Sequence, residues 1–436
     1  MGNRNIEFIA NNFLCTGCGG CKYACPKKAI NIIETISGYL QAKIDYEKCI
    51  HCGVCVKVCP QCNDFGLDSI DKYLLGDVVN SYHGHAVNEK IRHQGQTGGV
   101  VTSLLCYLLD SKKIDNAIVN SFDSTISNTL VLNASTKEEL IGAAGSYYVQ
   151  SAVLDKIDPQ KKTALVALGC QSQALKYIKN IGLSTPEYII GLICAGNYSR
   201  HYISAISKYS GVKKNKIINF RFRDKISNGW PGKISIQYNN KNVIMEGSIR
   251  HKLKPVFESY HCLLCFDQMN IMSDIVVGDP WGIELDDKEK KYGESVIIVR
   301  TQKGEVLLKQ AVESGYIKIF PLAVEKIFTG QTVETRHRNK LLAAKYWINK
   351  KHYRAPKTLE NSLFTANKQE IINKNDIFMR LEYTRMLKNI DNKKILYFYK
   401  LIYYIIYEIK IKALLPFRMI KKLKKYMKKT NRGQYK

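Results

Sequence analysis

Apolar residues recur at helical spacing between Val100 and Leu109, at Val100, Val101, Leu104, Leu105, Leu108 and Leu109. The period predicts an amphipathic helix with Cys106 inside its apolar run. Gly95, Gly98 and Gly99 stand directly before it in "HQGQTGG". A glycine-rich turn feeding a helix leaves free N–H groups and the positive dipole end facing outward, which suits an anion. The spacing is neither G-x-G-x-x-G nor a Walker loop, so an ordinary helix start fits equally well. Further on, "KKTALVALGCQSQALKYIKN" (161–180) reads as a buried strand, a turn and a helix, and "PEYIIGLICAGN" (186–197) as the next buried strand. Strand–helix–strand in this length predicts a parallel pair with a right-handed crossover. Cys170 and Cys194 then fall at the carboxyl ends of neighbouring strands, on the edge where open α/β sheets bind ligands.

The polar breaks in this pattern hold the densest chemistry. "CTGCGGCKYACP" (15–26) and "CIHCGVCVKVCP" (49–60) both read C-x2-C-x2-C-x3-C-P. This is the two-cluster ferredoxin spacing, in which the fourth cysteine of each run crosses to the other cluster. Cys15, Cys18, Cys21 and Cys59 are expected to hold one 4Fe–4S cluster, and Cys49, Cys52, Cys55 and Cys25 a second. Glycines at 17, 19, 20 and 53 let backbone N–H groups approach the sulfides, and each proline is expected to end its loop and start a short helix. Zinc favours separated C-x2-C pairs and fits tandem quartets poorly. Cys62 lies outside the pattern and reads as a bystander thiol.

Composition narrows the setting. Hydrophobic residues make up 45% of 436, enough for two or three domains with real cores. The opening "MGNRNIEFIANNF" has no long apolar h-region, so the fourteen cysteines are expected in a reducing, cytoplasmic compartment, with the clustered ones as metal ligands rather than disulfides. The net charge is +28, but eleven Lys or Arg and no acid lie between Lys410 and Lys436, leaving +17 on the other 409 residues. Each cluster adds roughly −2. No nucleic-acid module is visible, and no nucleic acid is expected as a partner. The stretch 395–429 begins Tyr/Ile-rich and becomes lysine-rich; its longest uninterrupted apolar run is 401–407. That is too short to span a bilayer, and it suits an interfacial helix on an anionic membrane surface or a helix docked on the core with a solvated basic end.

Another C-x2-C, Cys262 and Cys265 in "YHCLLCFDQMN", joins Cys170 and Cys194 to make four expected ligands for a third 4Fe–4S cluster. Small buried residues and a zinc half-site are the alternatives for the two pairs. His261 reads as a ligand or, more readily, as a histidine beside the ligands or on the surface. The basic "RFRDK" (Arg221, Arg223, Lys225) suits an acidic ligand or a solvated strand edge.

The ordered set "QTGGVVTSLL", "GSYYVQS" (145–151), "LGCQSQA" (168–174), "GLICAG" (191–196), "FRFRDKISNGWPG" (220–232), "CLLCFDQMNIMSDIVVGDPWG" (262–282) and "ESVIIVRTQKGEVLL" (294–308) resembles the coenzyme F420 hydrogenase/dehydrogenase beta-subunit family over about residues 5–330. "LGCQSQA" lacks the proline that the family places before its cysteine. The family includes flavin reductases of chlorophyll-like substrates and bacterial members associated with surface-polysaccharide synthesis. The resemblance implies FAD beside the third cluster. It implies flavin contacts from Gln96, Thr97, Gly98, Gly99 and Thr102 and from Ser146, Tyr147, Tyr148 and Gln150. It places Asp274, Asp279 and Trp281 near the flavin or the cluster.

The expected architecture is α+β and α/β. A ferredoxin-like domain (1–65) precedes a mixed α/β flavin domain (66–330), and a helical basic extension (331–436) follows. The expected activity is an iron–sulfur flavoprotein oxidoreductase passing electrons between a redox partner such as ferredoxin and an organic substrate. That substrate would be of the coenzyme F420 type or a polysaccharide precursor. The alternative is a non-catalytic electron-transfer subunit.

Overall fold

The computed structural model describes residues 5–12, 14–63, 67, 70–226, 228–265, 267–340, 400, 402, 403 and 405. Those up to 340 belong to one compact unit, and those from 400 onward to a second unit spanning 390–436. The expected membrane-surface helix therefore lies almost wholly outside the described residues. No described helix is long and apolar enough to cross a membrane.

Thirteen strands are described: β1 (Ile30–Glu34), β2 (Leu40–Ile44), β3 (Asn80–Ala86), β4 (Asn116–Asp123), β5 (Asn128–Ala134), β6 (Thr163–Ala167), β7 (Tyr188–Leu192), β8 (Ile217–Asp224), β9 (Lys233–Tyr238), β10 (Lys241–Met245), β11 (Ile275–Gly278), β12 (Ser295–Val299) and β13 (Ile317–Pro321). An eight-stranded sheet runs β13-β3-β12-β11-β7-β6-β4-β5. Its centre is parallel, from β4 through β6 and β7 to β11. Antiparallel strands flank both sides. β6 (TALVA), β7 (YIIGL) and β11 (IVVG) are mostly Val, Ile, Leu and Ala and largely buried, as in strands covered on both faces. The expected β6–β7 parallel pair is present, joined through the helix Gly169–Asn180.

The carboxyl ends of β6, β7 and β11 share one edge. Cys170 follows β6, Cys194 follows β7 and Asp279 follows β11. Asp274 precedes β11, at the opposite end of that strand. Its carboxylate accepts from Ile189 N at 2.9 Å and Thr301 Oγ1 at 2.9 Å. Asp274 thus ties strand starts together, and the expectation of it near the flavin or the cluster is corrected. A smaller antiparallel sheet, β10-β9-β8, and the β1–β2 hairpin complete the strands.

The N-terminal cysteine region is not a separate body. Leu14, Cys18, Cys21, Val58 and Cys59 share one hydrophobic cluster with Leu154, Leu165, Ala174, Leu175 and Ile178 of the α/β part. Gly20 packs so closely that an added Cβ would stand 3.2 Å from Leu154 and 3.4 Å from Ala174. Leu154 N donates to Cys18 O at 3.0 Å, and Lys22 pairs with Asp155 at 2.8 Å. The apolar area that would face solvent on an isolated head is removed from water here, so head and sheet support each other.

Candidate functional site: three sets of cysteines and a basic cavity

Within each N-terminal cysteine run the third cysteine rides a one-turn helix, Gly20–Tyr23 or Val54–Lys57. Gly19 (φ 89°) and Gly53 (φ 73°) begin these turns in the left-handed region that favours glycine. The helices therefore precede the prolines. Pro26 and Pro60 sit in turns, and β1 follows the first of them. The expected helix after each proline is corrected: proline disfavours helical geometry at the residue before it and so terminates the one-turn helix.

Cys15, Cys18, Cys21 and Cys59 come together, each lying within electrostatic reach of others in the set. Burial first, and then the neighbouring sulfurs, pushes the Cys15 thiol up to about 12 and the Cys21 thiol well up. Cys49, Cys52 and Cys55 form a second group, with Cys25 packed against the same core. Ala29 N reaches Cys25 Sγ at 3.3 Å. Backbone N–H groups of Gly17 and Ala42 face Cys15, and those of Ile6 and Val56 face Cys55. Converging sulfurs, aimed N–H groups and thiols that resist ionisation alone together suit a cationic iron core, which replaces their protons. All fourteen cysteines are unpaired by disulfides. Cys62 sits beside Cys59, its sulfur accepting a hydrogen bond from the Cys59 thiol.

The strand ends gather a third set. Cys170 lies within reach of Cys194, Cys262 and Cys265, and also of Cys18 from the first set. Gly169 is required beside it, because an added Cβ would stand 2.6 Å from the Asp267 carboxylate. Cys262 sits in a short 3-10 turn, Tyr260–Leu263. Its sulfur accepts from Asn197 N at 3.2 Å and lies 3.3 Å from His261 Nε2. His261 is buried, not on the surface; burial and Lys340 hold its pKa down to about 3. Burial pushes Cys262 well up and Cys265 to about 11. Three cations stand around the set: Lys340 donates to Cys262 O at 2.6 Å, while Lys254 and Arg336 act on Cys194. Lys340 and Arg336 come from helical residues 333–340, beyond the expected boundary at 330. Their i, i+4 basic spacing was the only sequence signal for them.

Cys262 opens onto a cavity of about 940 Å³. Tyr148, Arg223, Arg250, Asp279, Trp281 and Lys340 are among its walls. Its charge is net basic, and its size lies at the upper end of the range for cofactor sites. Arg223 grips Asp279 with two bonds of 2.7 Å and reaches Tyr148 OH at 3.3 Å. Trp230 Nε1 donates to the same carboxylate at 2.9 Å, and Trp281 packs 4.4 Å from Trp230. Burial alone would raise the Asp279 carboxyl, but Arg223 and its hydrogen bonds hold it below its ordinary value. Lys225 is buried, with its ammonium on the carbonyls of Arg92, Thr97 and Tyr292. Burial, then Arg92 and Arg223, lowers it to about 7. The solvated-edge alternative for "RFRDK" is corrected, since Arg223 and Lys225 are buried and engaged.

Of the nine residues expected at the flavin, Tyr148 lines the cavity, and Gln96 reaches its wall at Arg223, its amide donating to Arg223 O and accepting from Arg223 Nε, each at 3.1 Å. Gly99 (φ 76°) opens the helix Val100–Asp110 as expected. Gly98 N donates to Ser295 Oγ at 2.8 Å, and Thr97 Oγ1 lies 2.6 Å from the same oxygen. Thr102 is buried in the helix and Ser146 is half-buried. The Tyr147 hydroxyl is pushed up by burial. Gln150 faces the head, accepting from Leu40 N at 2.7 Å and donating to Thr16 O at 3.4 Å. Elsewhere, His83, Glu289 and Glu294 cluster closely enough to suggest a metal. Arg92 (3.2 Å) and His85 (2.8 Å) already share one Glu294 oxygen and His83 (3.2 Å) holds the other, so the buried carboxylate is compensated without an ion.

Comparison with known proteins agrees with this layout. Residues 81–158 match the N-terminal model, and 160–325 the C-terminal model, of the coenzyme F420 hydrogenase/dehydrogenase beta subunit. The chain belongs to this family. Two 4Fe–4S dicluster domain models match residues 14–63 and 41–101. A coenzyme F420-dependent sulfite reductase of Methanocaldococcus jannaschii is 27% identical over 370 residues, covering 78% of this chain. The chain spans about half of that relative, 54% of its length. A coenzyme F420 hydrogenase subunit beta of Methanococcus voltae is 25% identical, covering 56% of this chain and 85% of the relative. A chain of the coenzyme F420-reducing NiFe hydrogenase complex from Methanosarcina barkeri aligns with a TM-score of 0.49 at 19% identity, covering 63% of this chain and 96% of that one.

Proposed function

We propose that this family member is an iron–sulfur flavoprotein oxidoreductase. In this reading electrons pass between a redox partner such as ferredoxin and an organic substrate through the head, the third cysteine set and a flavin in the cavity. One arrangement carries the reading: Cys170 neighbours Cys18 of the head, while Cys262 of the same set opens into the basic cavity. The three cysteine sets would hold 4Fe–4S clusters. Tyr148, Trp281 and Gln96 would bound the FAD, with Arg223 and Arg250 supplying positive charge for its pyrophosphate. When bound, FAD supplies two-electron, hydride-type chemistry, and the clusters carry single electrons. The cavity favours this reading over a purely electron-transferring subunit. The relatives' names favour coenzyme F420 as substrate over a polysaccharide precursor.

Anaerobically purified protein should contain about twelve irons per chain and one FAD, and should exchange electrons with coenzyme F420. Protein with clusters but without flavin would support the non-catalytic reading instead. The basic tail is proposed to seat the protein on the anionic inner face of the cytoplasmic membrane. Removal of 395–436 should then shift it from the membrane to the soluble fraction of lysed cells; an unchanged distribution would discard the idea.

A further inference from the structure

One buried ring stands where the first and third cysteine sets meet. His261 is 2% exposed, immediately before Cys262. Its Nε2 lies 3.3 Å from Cys262 Sγ, and the ring also faces the backbone of Cys15. Its neighbours Tyr260, Leu263 and Leu264 pack in the same core as Cys18, Cys21 and Cys59. Its Nδ1 is buried with no partner among the described residues, so Nε2 is the nitrogen that meets both the sulfur and the Cys15 backbone, shielded from water.

A thiolate that ligates iron has lost its proton and can only accept. The close approach of Nε2 to Cys262 is then attractive only if Nε2 carries a proton, so the imidazole must be the donor. Together with Asn197 N at 3.2 Å, this gives Cys262 two donors. Hydrogen bonds to a ligand sulfur stabilise the more negative, reduced cluster and raise its potential.

We propose that His261 is a positioning residue for electron passage. Its Nε2–H bond to Cys262 raises the reduction potential of the third cluster and draws electrons from the first cluster toward the cavity. The step is a single-electron transfer: the first cluster is oxidised, the third is reduced, and no proton or bond changes hands. This inference rests on the third-cluster reading given above.

The test uses the full chain, purified anaerobically, as wild type, His261→Leu and His261→Gln. Iron and acid-labile sulfide are counted, and each cluster is titrated by electron paramagnetic resonance. Cys170→Ser supplies the spectrum without the third cluster. His261→Leu keeps the volume and removes the donor. It should retain its iron while the third cluster's midpoint moves to a more negative value and the other two stay put. His261→Gln keeps an N–H near the same place and should restore most of the shift. A Leu variant with full iron and an unmoved midpoint overturns the inference, as does a Gln variant shifted as far as Leu. If the Leu variant loses iron, His261→Phe, a ring of similar size with no N–H, takes its place on the same two criteria. Wild-type protein with iron for only two clusters overturns the third-cluster reading itself, and the inference with it.

Discussion

Cys170→Ser should abolish substrate turnover while leaving the head's clusters reducible by dithionite. Cys170 has neighbours in both sets, Cys18 on one side and Cys194, Cys262 and Cys265 on the other. Serine offers a poor ligand to iron, so the third set should lose its cluster and the iron content fall from about twelve to about eight per chain. The eight cysteines of the head are untouched. A flavin bound in the cavity as proposed should then no longer be reduced through the head, although a soluble hydride donor reaching the cavity should still reduce it. Two readings check this: iron per chain, and stopped-flow bleaching of the flavin. A variant retaining twelve irons, or one whose flavin still bleaches through the head, would show that electrons take another route.

The second large effect is on stability. Arg223→Leu leaves the Asp279 carboxylate with Trp230 as its side-chain donor, and with Arg250 and Arg336 as nearby cations to which no hydrogen bond is made. Removing one partner of a buried pair costs about 3–5 kcal/mol. The Asp279 side chain is 22% exposed toward the cavity, so the lower end, about 3 kcal/mol, is expected. Chemical denaturation should show it as a lower midpoint at constant slope. The pair also sets an acid limit. The folded carboxyl is held below its ordinary value, so its contribution is complete above the unfolded pKa of about 4 and is lost as pH falls through the folded one. Asp279→Asn should flatten that acid limb of the stability curve, and a limb unchanged in the variant would assign acid sensitivity to other groups.

The metal-binding half of the site was legible because it is written in local spacing. Two C-x2-C-x2-C-x3-C-P runs declare themselves without any fold, and the buried strands before Cys170 and Cys194 show through continuous apolar runs. What stayed hidden depends on tertiary contact. Gly20 looks like a loop glycine until Leu154 and Ala174 are seen against it. Arg223 and Lys225 look like surface residues until Asp279 and three carbonyls satisfy them. Arg336 and Lys340 look like the start of a basic tail, yet they line the cavity beside Cys262. Asp274 and Asp279 read as one motif, but four strand residues separate them and send them to opposite ends of β11. The glycines before Val100 carry an anion-site signature, whereas Gly98 is held between Gly84 and Ser295, where an added Cβ would stand 2.6 Å from a carbonyl oxygen.

The common core beneath the N-terminal cysteines has a topographical consequence. A carrier arm on a tether swings between donor and acceptor; this one is embedded and has no stroke. In the proposed reading a redox partner would have to come to it, and the cysteine left uncovered there is Cys52, exposed with Ile50 and His51 beside it.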